Sequence, residues 1–125
     1  MPPEPDRRVL VVDAANVVGS VPDGWWRDRA GAAARLHRAV TSARLPYDEV
    51  VLVLEGEGRS GVAEGTTGSV TTVHAAYGDD EIVARCAALA QTGAIVTLAS
   101  ADRGLIGRVE PLGVAVVGPR SIPRG

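Results

Sequence analysis

The stretch Val9-Leu10-Val11-Val12-Asp13-Ala14-Ala15-Asn16 opens on four apolar residues and breaks into an acid, two alanines and an amide. Consecutive aliphatic residues without polar alternation describe a strand covered on both faces, as in a parallel sheet between two helix layers. Four further runs repeat the pattern: Val50 to Leu54, Val70 to Val73, Ile95 to Leu98 and Val114 to Val117. Ala- and Arg-rich stretches of helical spacing separate most of them, so the chain reads as βα units around a five-stranded parallel sheet.

The first helix is expected over Trp25 to Ala43, with Trp25, Ala32, Leu36, Ala39 and Ala43 on one side. A second is expected over Asp80 to Gln91, with Ile82, Val83, Cys86 and Leu89 inward. A third, Arg103 to Leu112, should stop at Gly113 with its last turn distorted by Pro111. The stretch Gly56 to Ser69 holds five glycines and no periodicity, so it reads as a mobile loop and a poor crossover between parallel strands. Residues 1–7 and 120–125 read as extended tails around one domain at 8–119.

At 125 residues and 46% hydrophobic composition the chain can bury one core. A formal charge of -2 excludes a broadly basic nucleic-acid-binding surface but leaves local patches open. All thirteen basic residues are arginine, so a P-loop, which needs lysine, is excluded. The lone Cys86 excludes a disulfide within the chain and reads as packing. No apolar run approaches the ~18 residues of a membrane span or forms a leader segment, so the expectation is a cytoplasmic protein without membrane partners.

Five acids fall where strands are expected to end: Asp13, Glu55, Asp79, Asp80 and Asp102. In an open parallel sheet the carboxyl ends of the strands share one crevice, so residues far apart in sequence meet there. Uncompensated, these charges would raise one another's pKa values, and a divalent cation is the economical explanation. Oxygen-only donors favour Mg²⁺ or Mn²⁺ over zinc. The competing reading is helix capping, which Asp79, Asp80 and Asp102 suit individually. His37 and His74 read as structural or solvated.

Three segments resemble the acidic motifs of PIN-like nucleases, in particular the NYN branch: Asp13-Ala14-Ala15-Asn16, Gly78-Asp79-Asp80-Glu81-Ile82, and Ser100-Ala101-Asp102-Arg103-Gly104-Leu105. The resemblance implies a three-layer α/β/α fold with strand order 3-2-1-4-5. It also implies a Mg²⁺- or Mn²⁺-dependent phosphodiesterase, most often acting on RNA. By the same resemblance Asp13, Asp79 and Asp102 are the catalytic, metal-binding acids, and Asp80 is a possible additional ligand. Asn16 and Ser100 match the polar residues of the first and last motifs and are assigned to substrate binding. Glu55 departs from the pattern, in which aspartate is usual, and would reach a metal through water.

Substrate grip must come from arginine, aromatic rings and backbone. Arg103 follows Asp102 directly and is the first phosphate candidate, with Arg27 a further one. Trp25 and Trp26 beside Arg27, Arg29, Arg35 and Arg38 suit stacking of unpaired bases next to phosphate contacts, and equally a helix anchor with a solvated arginine face. Three readings remain open at this point: a metal-dependent ribonuclease acting on single-stranded RNA, a hydrolase of nucleotide phosphoanhydrides, and a silent module binding RNA or protein. A homo-oligomer or protein partner is compatible with each. With the five strand-end acids set aside, the formal charge of -2 becomes +3, so the acidity belongs to the crevice.

Overall fold

The computed structural model describes residues 7–125. The tail expected over 1–7 therefore lies, Arg7 excepted, outside the described residues. Strand β1 (Arg8–Asp13) runs directly into a short helix α1 (Ala14–Val18), and a 3₁₀ turn (Trp25–Arg27) leads into α2 (Arg29–Ser42). Then come β2 (Glu49–Leu54), a 3₁₀ turn (Gly56–Gly61), β3 (Gly65–Thr67), β4 (Val70–His74) and α3 (Gly78–Gln91). The chain closes with β5 (Ile95–Ala99), α4 (Arg103–Val109), a 3₁₀ turn (Glu110–Leu112), β6 (Ala115–Val117) and a final 3₁₀ turn (Pro119–Ser121).

The sheet order is β3-β4-β2-β1-β5-β6. Every neighbouring pair is parallel except β3 and β4. Leaving out β3, the five expected strands stand in the expected order 3-2-1-4-5. The antiparallel edge strand β3 is an addition to that expectation. Strand β1 is central, paired with β2 and β5: the connection after β1 runs toward β2 and that after β5 runs the opposite way toward β6, which places the topological switch point between the carboxyl ends of β1 and β5.

Alternation along the strands sorts the core into two layers. Val9 and Val11 of β1 join Val51, Val53, Val96 and Leu98 against Ile82 and Cys86 of α3 and Leu105 and Val109 of α4. Leu10 and Val12 join Val50, Leu52 and Leu54 against Ala14 and Val17 of α1 and Ala33, Leu36 and Val40 of α2. This is the three-layer α/β/α arrangement. Asp13 and Glu55 continue the odd-numbered series of β1 and β2, on the side of the sheet that meets α3.

Local departures have physical causes. Asp28 adopts an extended backbone and its carboxylate accepts the Gly31 N–H at 2.8 Å, so α2 starts at Arg29 and Trp25 is left in a separate turn. The buried face of α2 is accordingly Ala32, Ala33, Leu36 and Val40. The stretch expected to be a mobile loop is ordered: it forms a 3₁₀ turn packed on α2 and then pairs β3 with β4. Segment 120–125 also lies on the body, with Ile122 buried in the α1/α2 layer and Arg124 paired with Asp23 at 3.2 Å. Among the described residues no helix is long and apolar enough to cross a membrane.

Gly61 shows how closely the 3₁₀ turn docks. A Cβ at that position would fall inside the van der Waals surface of the Ala30 carbonyl, so backbone must move to admit one. Gly61→Ala is expected to lower unfolding free energy by about 1–3 kcal/mol in urea titrations, the usual range for overpacking. An unchanged midpoint and slope would show that the segment is not docked in solution.

Candidate active site

The site begins with a carboxylate that the fold withdraws from water. Asp13, at the end of β1, is only 7% exposed. Its Oδ1 accepts the Asn16 N–H at 3.4 Å, capping α1, and its Oδ2 accepts the Ser100 hydroxyl at 2.9 Å. The Ser100 oxygen in turn accepts the Asp102 N–H at 3.1 Å. The Asn16 side-chain oxygen accepts the Ala101 N–H at 2.9 Å, so the first and last motifs are tied together twice. Asn16 thus spends its carbonyl on positioning the β5–α4 connection.

The other acids arrive from neighbouring junctions. Glu55, directly after β2, accepts the Gly78 N–H on Oε2 at 2.8 Å. It supplies from a distance the cap that Tyr77, before α3, does not make. Gly78 permits this approach, since a Cβ there would stand 2.8 Å from the Glu55 carboxyl. Asp102 caps α4 by accepting the Leu105 N–H at 3.1 Å, leaving its second oxygen free of that bond. Asp80 is engaged by Arg108 of α4 at 3.0 Å and is exposed. Capping and clustering are therefore not alternatives here: Asp13, Glu55 and Asp102 each satisfy a helix start while standing at the same edge of the sheet.

Charge coupling shows that these groups sense one another. Burial, reinforced by Asp79 and Glu55, pushes the Asp13 carboxyl up to about 6 against the hydrogen bonds from Ser100 and Asn16. Asp79 is also raised, first by partial burial and then by Asp102 and Glu55, with Arg108 opposing. An oxygen-only donor set with this mutual repulsion fits a hard divalent cation in kind. Among the described residues, however, no three acid, histidine or cysteine side chains already converge as a closed ligand shell.

Of the arginines, Arg103 is exposed at the start of α4 beside Asp102. Arg27 packs over the Trp26 ring at 5.9 Å, while Arg29 stacks on Trp25 at 5.1 Å and lines a cavity next to Glu55. Two residues at this edge went unread in the sequence: Tyr77, 75% exposed immediately before Gly78 and Asp79, and Glu57 in the same cavity wall as Arg29. An aromatic residue just before an acid pair was the available signal for Tyr77.

The Asp13 shift has a direct consequence for stability. Between its ordinary pKa of 3.8 and about 6, the folded chain holds a proton that the unfolded chain has released. Its contribution to stability is present at low pH and is lost as pH rises through that window. Asp13→Asn carries no such charge. In urea unfolding with EDTA, the stability of Asp13→Asn relative to the native chain is expected to improve by about 2–3 kcal/mol between pH 4 and pH 7.5. A relative stability that stays flat over this range would contradict the burial assigned to Asp13.

No family model matches the chain. No curated protein matches it either. Among solved structures, the chain is similar to a tryptophan-to-leucine variant of Rae1 (YacP) from Bacillus subtilis, with a TM-score of 0.58 and 17% identity over 90% of this chain and 70% of that one. At that identity the likeness is one of fold. The chain has an α/β/α fold, a six-stranded sheet flanked by helices, similar to that of this neighbour and differing in detail in its strand count and order.

Proposed function

We propose that the chain is a metal-dependent phosphodiesterase that cleaves single-stranded RNA at the carboxyl edge of its sheet. The observation that carries this reading is the coupling of Asp13, Glu55, Asp79 and Asp102 at the switch point, with Asp13 buried and its carboxyl raised to about 6. Asp13, Asp79 and Asp102 would hold Mg²⁺ or Mn²⁺, with Glu55 contributing through water. When bound, the ion supplies an acidified water and charge relief at the phosphoryl oxygens.

The chain's own groups supply the rest. The Ser100 hydroxyl fixes the orientation of the Asp13 carboxylate, and Asn16 fixes the loop that carries Asp102. Arg103, exposed next to Asp102, meets a substrate phosphate. Tyr77 offers a solvated ring beside Asp79 on which an unpaired base stacks. The crevice-centred acidity and absence of a broad basic surface suit a short stretch of single strand rather than a duplex.

The experiment compares native chain, Asp13→Asn and Ser100→Ala on labelled single-stranded RNA, duplex RNA and free nucleotides, each with Mn²⁺, Mg²⁺ or EDTA. Cleavage of single-stranded RNA only with added metal is expected. Asp13→Asn should lower the rate by about 100-fold or more, and Ser100→Ala by about 10- to 100-fold, the range for outer-shell partners of metal ligands. Cleavage that persists in EDTA or in Asp13→Asn overturns the reading. Hydrolysis of nucleotides without RNA cleavage would replace it with phosphoanhydride chemistry.

A further inference from the structure

A cavity of about 380 Å³ opens beside the acids, between α1, α2 and the 3₁₀ turn after β2. Its wall includes Ala15, Trp25, Arg29, Ala33, Glu55 and Glu57. Its volume lies at the lower end of the range for small-molecule sites, about 300–1,000 Å³, which admits a nucleoside and excludes a helix. Ala15 lies two residues after Asp13, and Glu55 belongs both to this wall and to the acid edge. A strand lying over the acids therefore passes the cavity mouth, yet cleavage of a phosphodiester makes no use of it.

The chemistry of the wall selects its occupant. Two carboxylates against one guanidinium disfavour a phosphate and favour a neutral group with hydrogen-bond donors. Trp25 is half-buried, and the Arg29 guanidinium stands over its ring at 5.1 Å, so the indole holds the guanidinium in the cavity wall. The Glu57 carboxylate has no hydrogen bond or ion pair among the described residues, and neither does the Arg29 guanidinium. An ionised carboxylate only accepts, through two oxygens, while a guanidinium only donates, as a planar fork. Guanine matches both: adjacent N1–H and N2–H donors face a carboxylate, and adjacent O6 and N7 acceptors face a guanidinium. Adenine offers a carboxylate one exocyclic donor next to an acceptor, and the pyrimidines lack the O6/N7 pair.

We infer that this cavity is a guanine-selective base pocket next to the cleaved phosphate, with Glu57 reading the N1/N2 edge and Arg29, held over Trp25, reading the O6/N7 edge. The biological use of the pocket rests on the RNA-cleaving reading, but its occupancy is measurable without cleavage.

The test titrates GMP, AMP, CMP and UMP into the full chain in EDTA and follows tryptophan fluorescence. Saturable quenching by GMP, at least about 10-fold tighter than by the other three, is expected, since one bidentate pair discriminates by roughly that factor or more. Glu57→Gln changes an exposed side chain and should keep the fold, lose at least about 10-fold in GMP affinity and bring GMP level with AMP. Trp25→Leu should remove the quenching, and Asp13→Asn should bind GMP as the native chain does while failing to cut RNA. Equal binding of all four nucleotides, no binding of any, or native GMP affinity in Glu57→Gln overturns the pocket. GMP selectivity in a chain that cuts no RNA supports the pocket and removes the cleavage reading, whereas RNA cleavage without GMP binding removes the pocket alone.

Discussion

The carboxylate of Asp13 is the constraint around which the site is organised. Placed at the carboxyl end of the central strand, it is shielded by the sheet and by α1, and its hydrogen bonds come from one backbone N–H and one serine hydroxyl. Two neutral donors do not offset the burial, and Asp79 and Glu55 add charge of the same sign, so the group stays raised to about 6. A buried acid left in that condition costs stability near neutral pH unless something cationic stands nearby. The placement of Asn16, Ser100 and Asp102 follows from it, because each helps hold the loop that closes over Asp13.

The same acids also start the helices. Asp13 begins α1, Asp102 begins α4, and Glu55 supplies the missing cap of α3. A βα junction needs an acceptor for its first N–H groups, and in a parallel sheet all such junctions on these strands open at one edge. Charge is thereby concentrated by ordinary folding chemistry, and the cluster is a modification of capping rather than an addition to it. Arg108 moderates the result at Asp79, to which Asp102, Glu55 and Asp80 all contribute, and pairs with Asp80.

Much of this was legible from the chain. Runs such as Val9 to Val12 and Val50 to Leu54, short and rich in β-branched residues, read as buried strands, and the acids that end them mark the crevice edge. What was not legible depends on tertiary contact. Strand β3 is three exposed residues, so neither face carries an apolar signal, and it exists through pairing with β4. Helix α1 is five residues long, too short for a period to show, and its start is set by the Asp13 cap. The Glu55 bond to Gly78 spans 23 residues and has no local signature. The cavity assembles Trp25, Arg29 and Glu57 from two turns and a helix that only the docking of Gly61 on α2 brings together.

We propose that Asp13 gives up its proton in favour of a divalent cation. The most direct test is calorimetric titration of Mn²⁺ in buffers of different ionisation enthalpy, at pH 6 and pH 8, which counts the protons released on binding. Saturable binding is expected, with release of roughly half a proton at pH 6 and almost none at pH 8, as a group titrating near 6 requires. No binding of Mn²⁺, or proton release that is the same at both pH values, would contradict it.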